Sequence, residues 1–433
     1  MRPSRSRSIA VVASSTSALL LMLAPAFGQT SSEVEALQRQ IEMLQQQLDD
    51  LRRQVEGRAA PPEETARGSE RPPGGDAEVD ATTAAAESSP EQAPPSRTGP
   101  TTGTDQVRLE ISGQINRGVL LTDDGDRNDV FFVDNDNSSS RVRFVGKADL
   151  TDDVTIGSVI EVQIESNSTA DVSQIEERNA GIDGFSQRKI EIIFGSDTYG
   201  QLSLGQGSTA SDGTSEVDLS GTGVVGYSSV SDMAGGILFR DGGDLSAIAV
   251  GDAFSNFDGL GRDDRLRYDS PEIAGFIASA SVIADERYDA ALRYSRAFGG
   301  TEVQAAVAVA DANDAFEQYA GSVSALTGGV SATFAAGLRD NDGRDEGTYL
   351  YGKVGYEFSA VALGRTAIAI DYYTGSDIGA DGDDGRSFGA FVVQDLDAAA
   401  TELYAGYRLY DLHRDDTDLD VINAVLTGAR IKF

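Results

Sequence analysis

The sequence predicts an all-β protein: a 16-stranded antiparallel transmembrane β-barrel with an inward-folded long third loop, preceded by a short coiled-coil helix and a disordered linker. Three observations carry this. From Gln106 to the end, side-chain character alternates with period two and is broken by Asp/Gly/Asn/Ser clusters. One face of these strands repeatedly carries both Arg and Asp, while the other is apolar but thin, with many Ala, Gly, Thr and Ser. A soluble sandwich would place a dense Val/Ile/Leu core there; a barrel with a wet interior needs only a lipid-facing band. Finally, the strands are even in number and their connections come in two kinds, short and long.

Composition removes several other classes. The 433 residues include 35 Lys+Arg against 70 Asp+Glu, no Cys, no Trp and one His, for a net charge of −35. Without cysteine there is no disulfide framework, and with one His there is no Cys/His metal site. The acidity opposes nucleic-acid binding, which relies on bases neutralising phosphates.

The elements follow in chain order. Residues 1–28 read as a signal peptide: Arg2, Arg5 and Arg7 precede an apolar run from Ile9 to Leu23 that is too short to span a membrane. Residues 32–56 carry a heptad seam of Val34, Leu37, Ile41, Leu44, Leu48, Leu51 and Val55. Its alternating steps of three and four predict a coiled coil, flanked by Gln and suited to self-association. Residues 57–105 are rich in Pro, Ala, Glu, Ser and Gly, and cannot bury enough apolar surface to offset the entropy of ordering. Residues 106–433 form the β region, with 25 basic and 55 acidic residues and a net charge of −30.

Within that region strands are predicted near 108–121, 139–150, 154–165, 186–195, 199–206, 264–271, 274–284, 286–297, 300–311, 318–326, 330–340, 348–358, 365–374, 386–394, 400–412 and 419–433. Thr151–Asp153, Asp197–Thr198 and Thr327–Gly329 are tight turns, whereas 122–138, 166–185, 341–347 and 375–385 are long and acidic. Tyr351, Tyr356, Phe358, Tyr372, Tyr373, Tyr404, Tyr407 and Phe433 suit aromatic girdles at the membrane interfaces. One connection is out of proportion. Gly207–Asp263 exceeds fifty residues and holds Val224, Val225, Tyr227, Met233, Phe239, Phe254 and Phe257, so it must pack somewhere. The barrel interior is the available place.

Four motifs in order then carry a family resemblance: Ile111-Ser-Gly-Gln-Ile-Asn-Arg117, Ser139-Ser-Arg-Val-Arg-Phe-Val-Gly146, Arg265-Leu-Arg-Tyr-Asp-Ser-Pro-Glu-Ile-Ala-Gly-Phe276 and the terminal Gly428-Ala-Arg-Ile-Lys-Phe433. Over 106–433 the sequence resembles the trimeric general porins of Gram-negative outer membranes. The resemblance implies a homotrimer forming a water-filled channel for small hydrophilic solutes and ions, with the coiled coil in the periplasm. It also implies a constriction between the third loop and a basic wall. Carried over by position, the basic side comprises Arg141, Arg143 and Lys189, joined by Arg265 and Arg267 through alternation. The acidic side comprises Asp212, Glu216, Asp218 and Asp232. Phe433 resembles the terminal signal read by the barrel-assembly machinery. Lipopolysaccharide and the cell wall are further expected contacts.

The net −30 suggests a weak cation preference. No cofactor is expected, although Asp134-Asn-Asp-Asn-Ser138 and Asp377–Asp384 offer oxygen atoms for adventitious calcium. His413 is the sole candidate imidazole base and has no evident nucleophile beside it, so no enzyme is expected. The alternative is a structural protein that tethers or stabilises the envelope through its coiled coil.

Overall fold

The computed structural model describes residues 106–179, 185–313 and 315–433. The expected signal peptide, coiled-coil seam and linker lie outside the described residues.

Among the described residues the chain forms a closed antiparallel barrel. Its wall begins with β1 (Arg108–Asp123), β2 (Asn128–Asp134), β3 (Arg141–Asp149), β4 (Val154–Ile164), β5 (Phe185–Ser196) and β6 (Gly200–Ser208). A small hairpin, β7 (Leu238–Asp241) and β8 (Asp244–Ala249), stands apart as its own two-stranded sheet. The wall resumes with β9 (Arg262–Asp269), β10 (Phe276–Ile283), β11 (Arg287–Phe298), β12 (Thr301–Asp311) and β13 (Phe316–Thr327). It is completed by β14 (Val330–Asn341), β15 (Gly347–Val361), β16 (Gly364–Ser376), β17 (Asp384–Leu396), β18 (Thr401–His413) and β19 (Ile422–Lys432).

Two pairings explain the strand count. β2 and β3 both pair with β1, β3 along Arg108–Gln114 and β2 along Arg117–Asp123, so together they make one wall strand broken at 135–140. The wall is therefore 16-stranded. The predicted long loop 122–138 is corrected accordingly: it is a four-residue turn at 124–127 with β2 beyond it. The Asp/Asn-rich composition hid a strand whose Val130 and Phe132 face outward. Closure comes from β1 against β19, from Gln114↔Lys432 to Asp123↔Asn423, which leaves no lipid-exposed edge there.

Turns at one end are short. Phe298 and Thr301 are joined by Gly299-Gly300, and Thr327 and Val330 by Gly328-Gly329, all four glycines having positive φ. Two left-handed residues in a row match the twist of a hairpin, and glycine alone adopts them without strain. At the other end the connections are uneven: 165–184 and 209–261 are long, whereas 284–286 is short.

Alternation sets the two faces. Ile111, Ile115, Phe132, Phe144, Ile160, Ile190 and Ile192 are exposed outward, as a lipid-facing band requires. Of the eight aromatics expected in girdles, Tyr356, Tyr372 and Phe433 are exposed, but Tyr351, Tyr373 and Tyr404 are buried inward. Their hydroxyls have partners that only the inner face supplies: Tyr351 donates to Asp371 (2.9 Å), Tyr373 to the Ser255 carbonyl (2.7 Å) and Tyr404 to Asn116 (2.7 Å).

The largest apolar cluster forms where the segment 209–261 meets the inner side of β15–β19. Val225, Met233, Phe239, Phe254 and Phe257 are almost wholly buried there. Phe254 sits 5.7 Å from the Tyr373 ring and 5.4 Å from the Tyr410 ring. Gly406 marks a close approach, since a Cβ there would stand 2.7 Å from Val225 and 2.8 Å from Met233.

Candidate pore lining

The inner face of β4 presents Val159, Glu161 and Gln163, with Ile160 and Ile164 turned outward. On β5 this parity breaks. Glu161 opposes Lys189 while Val162 opposes Gln187, so Arg188 is the extra residue of a β-bulge. Arg188 and Lys189 are consequently both buried on the inner face, where plain alternation allows only one base.

Glu161 becomes the centre of a basic group. Arg188 Nε lies 2.7 Å from its carboxylate, Arg143 Nε 3.8 Å and Arg141 Nε 4.0 Å. Arg188 also donates to Gln163 Oε1 at 2.8 Å. On the neighbouring wall Arg265 is paired with Glu191 and donates to the carbonyls of Gly205 (2.9 Å) and Ser208 (3.0 Å). Arg267 pairs with Asp269 at 2.7 Å and donates to the Thr209 carbonyl at 2.9 Å.

A cavity of about 1150 Å³ runs along these residues. Arg143, Lys189, Arg265 and Arg267 line it, as do Arg188, Arg262 and Arg293. Of the four loop acids singled out from sequence, Asp212 shares the cavity: its carboxylate is 3.9 Å from Arg262 Nε, and its carbonyl accepts from Arg293 Nη2 at 2.7 Å. The other three do not line it. Glu216 is buried and accepts from Asn256 Nδ2 at 2.6 Å. Asp218 is paired with Lys353 of β15 at 2.7 Å, and Asp232 accepts from the Tyr227 hydroxyl and from Ser229 Oγ at 2.7 Å.

The buried side of the segment is therefore rich in acid. Burial first, then the negative charge of Asp212, pushes Asp258 up to about 7, against the pull of hydrogen bonds from the Gly213 and Ser215 amides. Burial and the nearby Asp258 and Asp232 hold Glu216 well above the usual carboxylate range. Hydrogen bonds anchor the segment to the wall: Ser322 Oγ accepts from Val217 N (2.9 Å) and donates to the Thr214 carbonyl (2.8 Å), and the Tyr410 hydroxyl donates to the Val230 carbonyl (2.7 Å).

Sequence reasoning passed over Glu161, Arg188, Glu191, Arg262, Arg293 and Asp258. Glu161 was legible, because Glu161 and Gln163 alternate with Ile160, Val162 and Ile164. Arg188 was not, because only the bulge turns it inward. Among the described residues no group of three or more His, Cys, Asp or Glu is arranged to hold a metal ion. The Asp134 carboxylate accepts from the Ser140 amide (2.9 Å) and hydroxyl (2.6 Å). His413 is exposed at the end of β18.

Comparison with known proteins agrees with this architecture. The anion-selective porin from Comamonas acidovorans has a similar fold, with a TM-score of 0.52 at 15% identity, covering 76% of this chain and 100% of that one. In-vitro folded OmpT, an outer membrane protein of Vibrio cholerae, gives 0.52 at 14% identity, covering 77% of this chain and 100% of that one. Its loop L8 deletion mutant gives 0.51 at 15%, with 76% and 100% covered. No curated protein matches the chain. The family described as Gram-negative porin matches residues 79–415, and with a closed 16-stranded wall around a charged cavity, the chain belongs to that family, the channels of the outer membrane.

Proposed function

We propose that this porin passes small hydrophilic solutes and ions by passive diffusion, with the segment 209–261 acting as an inward third loop that narrows the path. The observation that carries this reading is the juxtaposition of a charged cavity of about 1150 Å³ with an outer face of exposed Ile, Val, Leu and aromatic side chains. Such a wall replaces hydrocarbon with a hydrated route, so a polar solute keeps most of its hydration. Bases on β3, β5 and β9 opposite Asp212 put a transverse field across the route, which penalises apolar solutes that cannot replace the ordered water.

The weak cation preference expected from net charge counts many acids that sit on the outer connections. Salt screens those beyond about 8 Å, so the lining of the narrow part governs ion preference. The working unit is a homotrimer, a reading supported by the family resemblance and by the self-associating heptads of residues 32–56. Phe433 fits the terminal assembly signal: it closes the wall by exchanging backbone hydrogen bonds with Gly113, both 2.9 Å, while its ring stays exposed.

Reconstitution of the purified protein into planar bilayers tests the channel. Stepwise conductance increments are expected, and their absence at any protein concentration overturns the reading. Deleting residues 30–105 is expected to leave the step size unchanged while weakening the trimer band on unheated gels.

A further inference from the structure

We infer that the outer face of the wall around Arg117, where β1 runs between β19 and β2, is covered by a second copy of this chain, and that this contact helps to seat the segment 209–261. The inference rests on the homotrimer reading and names the surface through which the copies meet.

Alternation fixes the direction of Arg117. Ile115 and Leu121 are exposed on its side of β1, whereas Gln114 and Asn116 are buried on the other. Arg117 therefore lies within the outward apolar band, near the middle of the 16-residue β1, with the exposed Val130 and Phe132 beside it on β2. Its guanidinium donates to the Ser166 carbonyl at 2.8 Å and lies 3.5 Å from Asp134, yet 41% of the side chain stays exposed. Hydrocarbon covers such a group poorly, because a base on the lipid face of a barrel strand is most destabilising at mid-depth. A protein surface covers it well. Carbonyls and carboxylates accept from the guanidinium while Phe132 and its apolar neighbours pack, and Arg with aromatic side chains is the composition favoured at subunit contacts. Halfway round the wall the outer face differs. Val307 and Val309 of β12 and Val323 of β13 are exposed there, and a trough of about 880 Å³ along these strands is lined without a charged residue, so lipid chains cover it at no electrostatic cost.

From Arg117 the contact has a route inward through the wall break at 135–140. Asp134, at the start of the break, accepts from the Ser140 amide (2.9 Å) and hydroxyl (2.6 Å) at its end. Asn135 Nδ2 donates to the Val224 carbonyl at 2.7 Å. The Thr169 amide donates to the Asp134 carbonyl at 3.1 Å, and the Thr169 hydroxyl to the Asp232 carbonyl at 2.5 Å. Val224 and Asp232 belong to the segment, so two of its anchors hang on the break whose outer flank is Arg117 with Asp134. A neighbour that immobilises Arg117 steadies both.

The full-length chain has no cysteine, so single Phe132→Cys and Val307→Cys variants take one spin label each without background. In lipid nanodiscs, pulsed EPR is expected to give shorter distances between labels at 132 than at 307, because labels on the contact face lie nearer the trimer axis. Equal distances, or the reverse order, overturn the surface. No distance between labels at either position, in protein that still conducts, overturns the trimer reading on which the surface rests. Arg117→Leu gives a second readout of opposite sign for the two environments. Against a partner it removes a contact and should lower the temperature at which the trimer band dissociates on gels. Against lipid it removes a poorly solvated charge, so an unchanged or higher dissociation temperature counts against the surface. The same variant should be cleaved several-fold faster within 209–261, since cleavage follows local opening. A weakened trimer whose segment stays as protected as the parent's overturns the coupling to the segment.

Discussion

At the residue scale, function here depends on which side of a strand a charge occupies. Alternation alone set Arg265 and Arg267 inward, the family resemblance assigned Arg141 and Arg143, and each of the four is in contact with an acid on the inner face. It failed at Arg188, where one inserted residue reverses parity, and bulges leave no reliable trace in composition. It failed differently at Tyr351, Tyr373 and Tyr404, because an aromatic ring suits an interface or a packed interior equally well until its hydroxyl partner is known. Lys353 makes the point in energetic form. Its ammonium is fully buried, 2.7 Å from Asp218 and 2.6 Å from the Gly226 carbonyl. Lys353→Met strands a buried carboxylate and is expected to cost about 3–5 kcal/mol in seating the loop. Limited proteolysis within 209–261 should then become rapid. Adding Asp218→Asn should restore most of the protection, because the uncompensated charge is gone; no rescue by the double variant would mean that the lysine acts through packing rather than charge.

At the element scale the long segment behaves as a second core. Its existence was legible from length and from its apolar residues, but the direction of each acid was not, since that depends on which side of the segment meets the wall. Only Asp212 lines the cavity with the wall arginines, while Glu216 and Asp232 are enclosed and Asp218 is paired with Lys353. The enclosed acids give a pH dependence with a defined sign. In a detached, hydrated segment Asp258 would titrate near 3.9. Seated, it titrates at about 7. A raised carboxyl contributes its full share below the lower value and loses it progressively until pH passes the higher one, so seating should weaken from about pH 4 to about pH 7. Open-channel current noise should increase over that interval, and Asp258→Asn, which cannot ionise, should flatten the response. Packing supplies an independent check. Gly406→Val would force a side chain into Val225 and Met233, so it should raise conductance and protease sensitivity together while leaving the strand circular dichroism signal unchanged.

At the scale of the whole molecule, two structures share one chain: a hydrogen-bonded wall and a segment packed against it. The wall was largely readable beforehand, because a period of two survives even where strands are built of Ala, Gly and Ser. The exception was β2, masked by Asp and Asn and recognisable only from its ladder with β1. The wall does not need the segment for closure. β6 pairs directly with β9 from Gln201↔Asp269 to Ser208↔Arg262, so the ends of the segment already sit side by side, as a hairpin turn requires. Replacing residues 210–260 with a short Gly/Asn turn is therefore expected to leave a folded barrel. The shortened protein should form larger steps in bilayers, because the side chains of β15–β19 that now meet the segment would face water. It should also unfold at lower temperature, since Tyr349, Tyr373 and Tyr410 of the wall lose the cover that Phe254 and Phe257 now give them. A barrel that fails to form would mean that the segment nucleates the wall, whereas unchanged conductance would mean that the path for ions never ran past it.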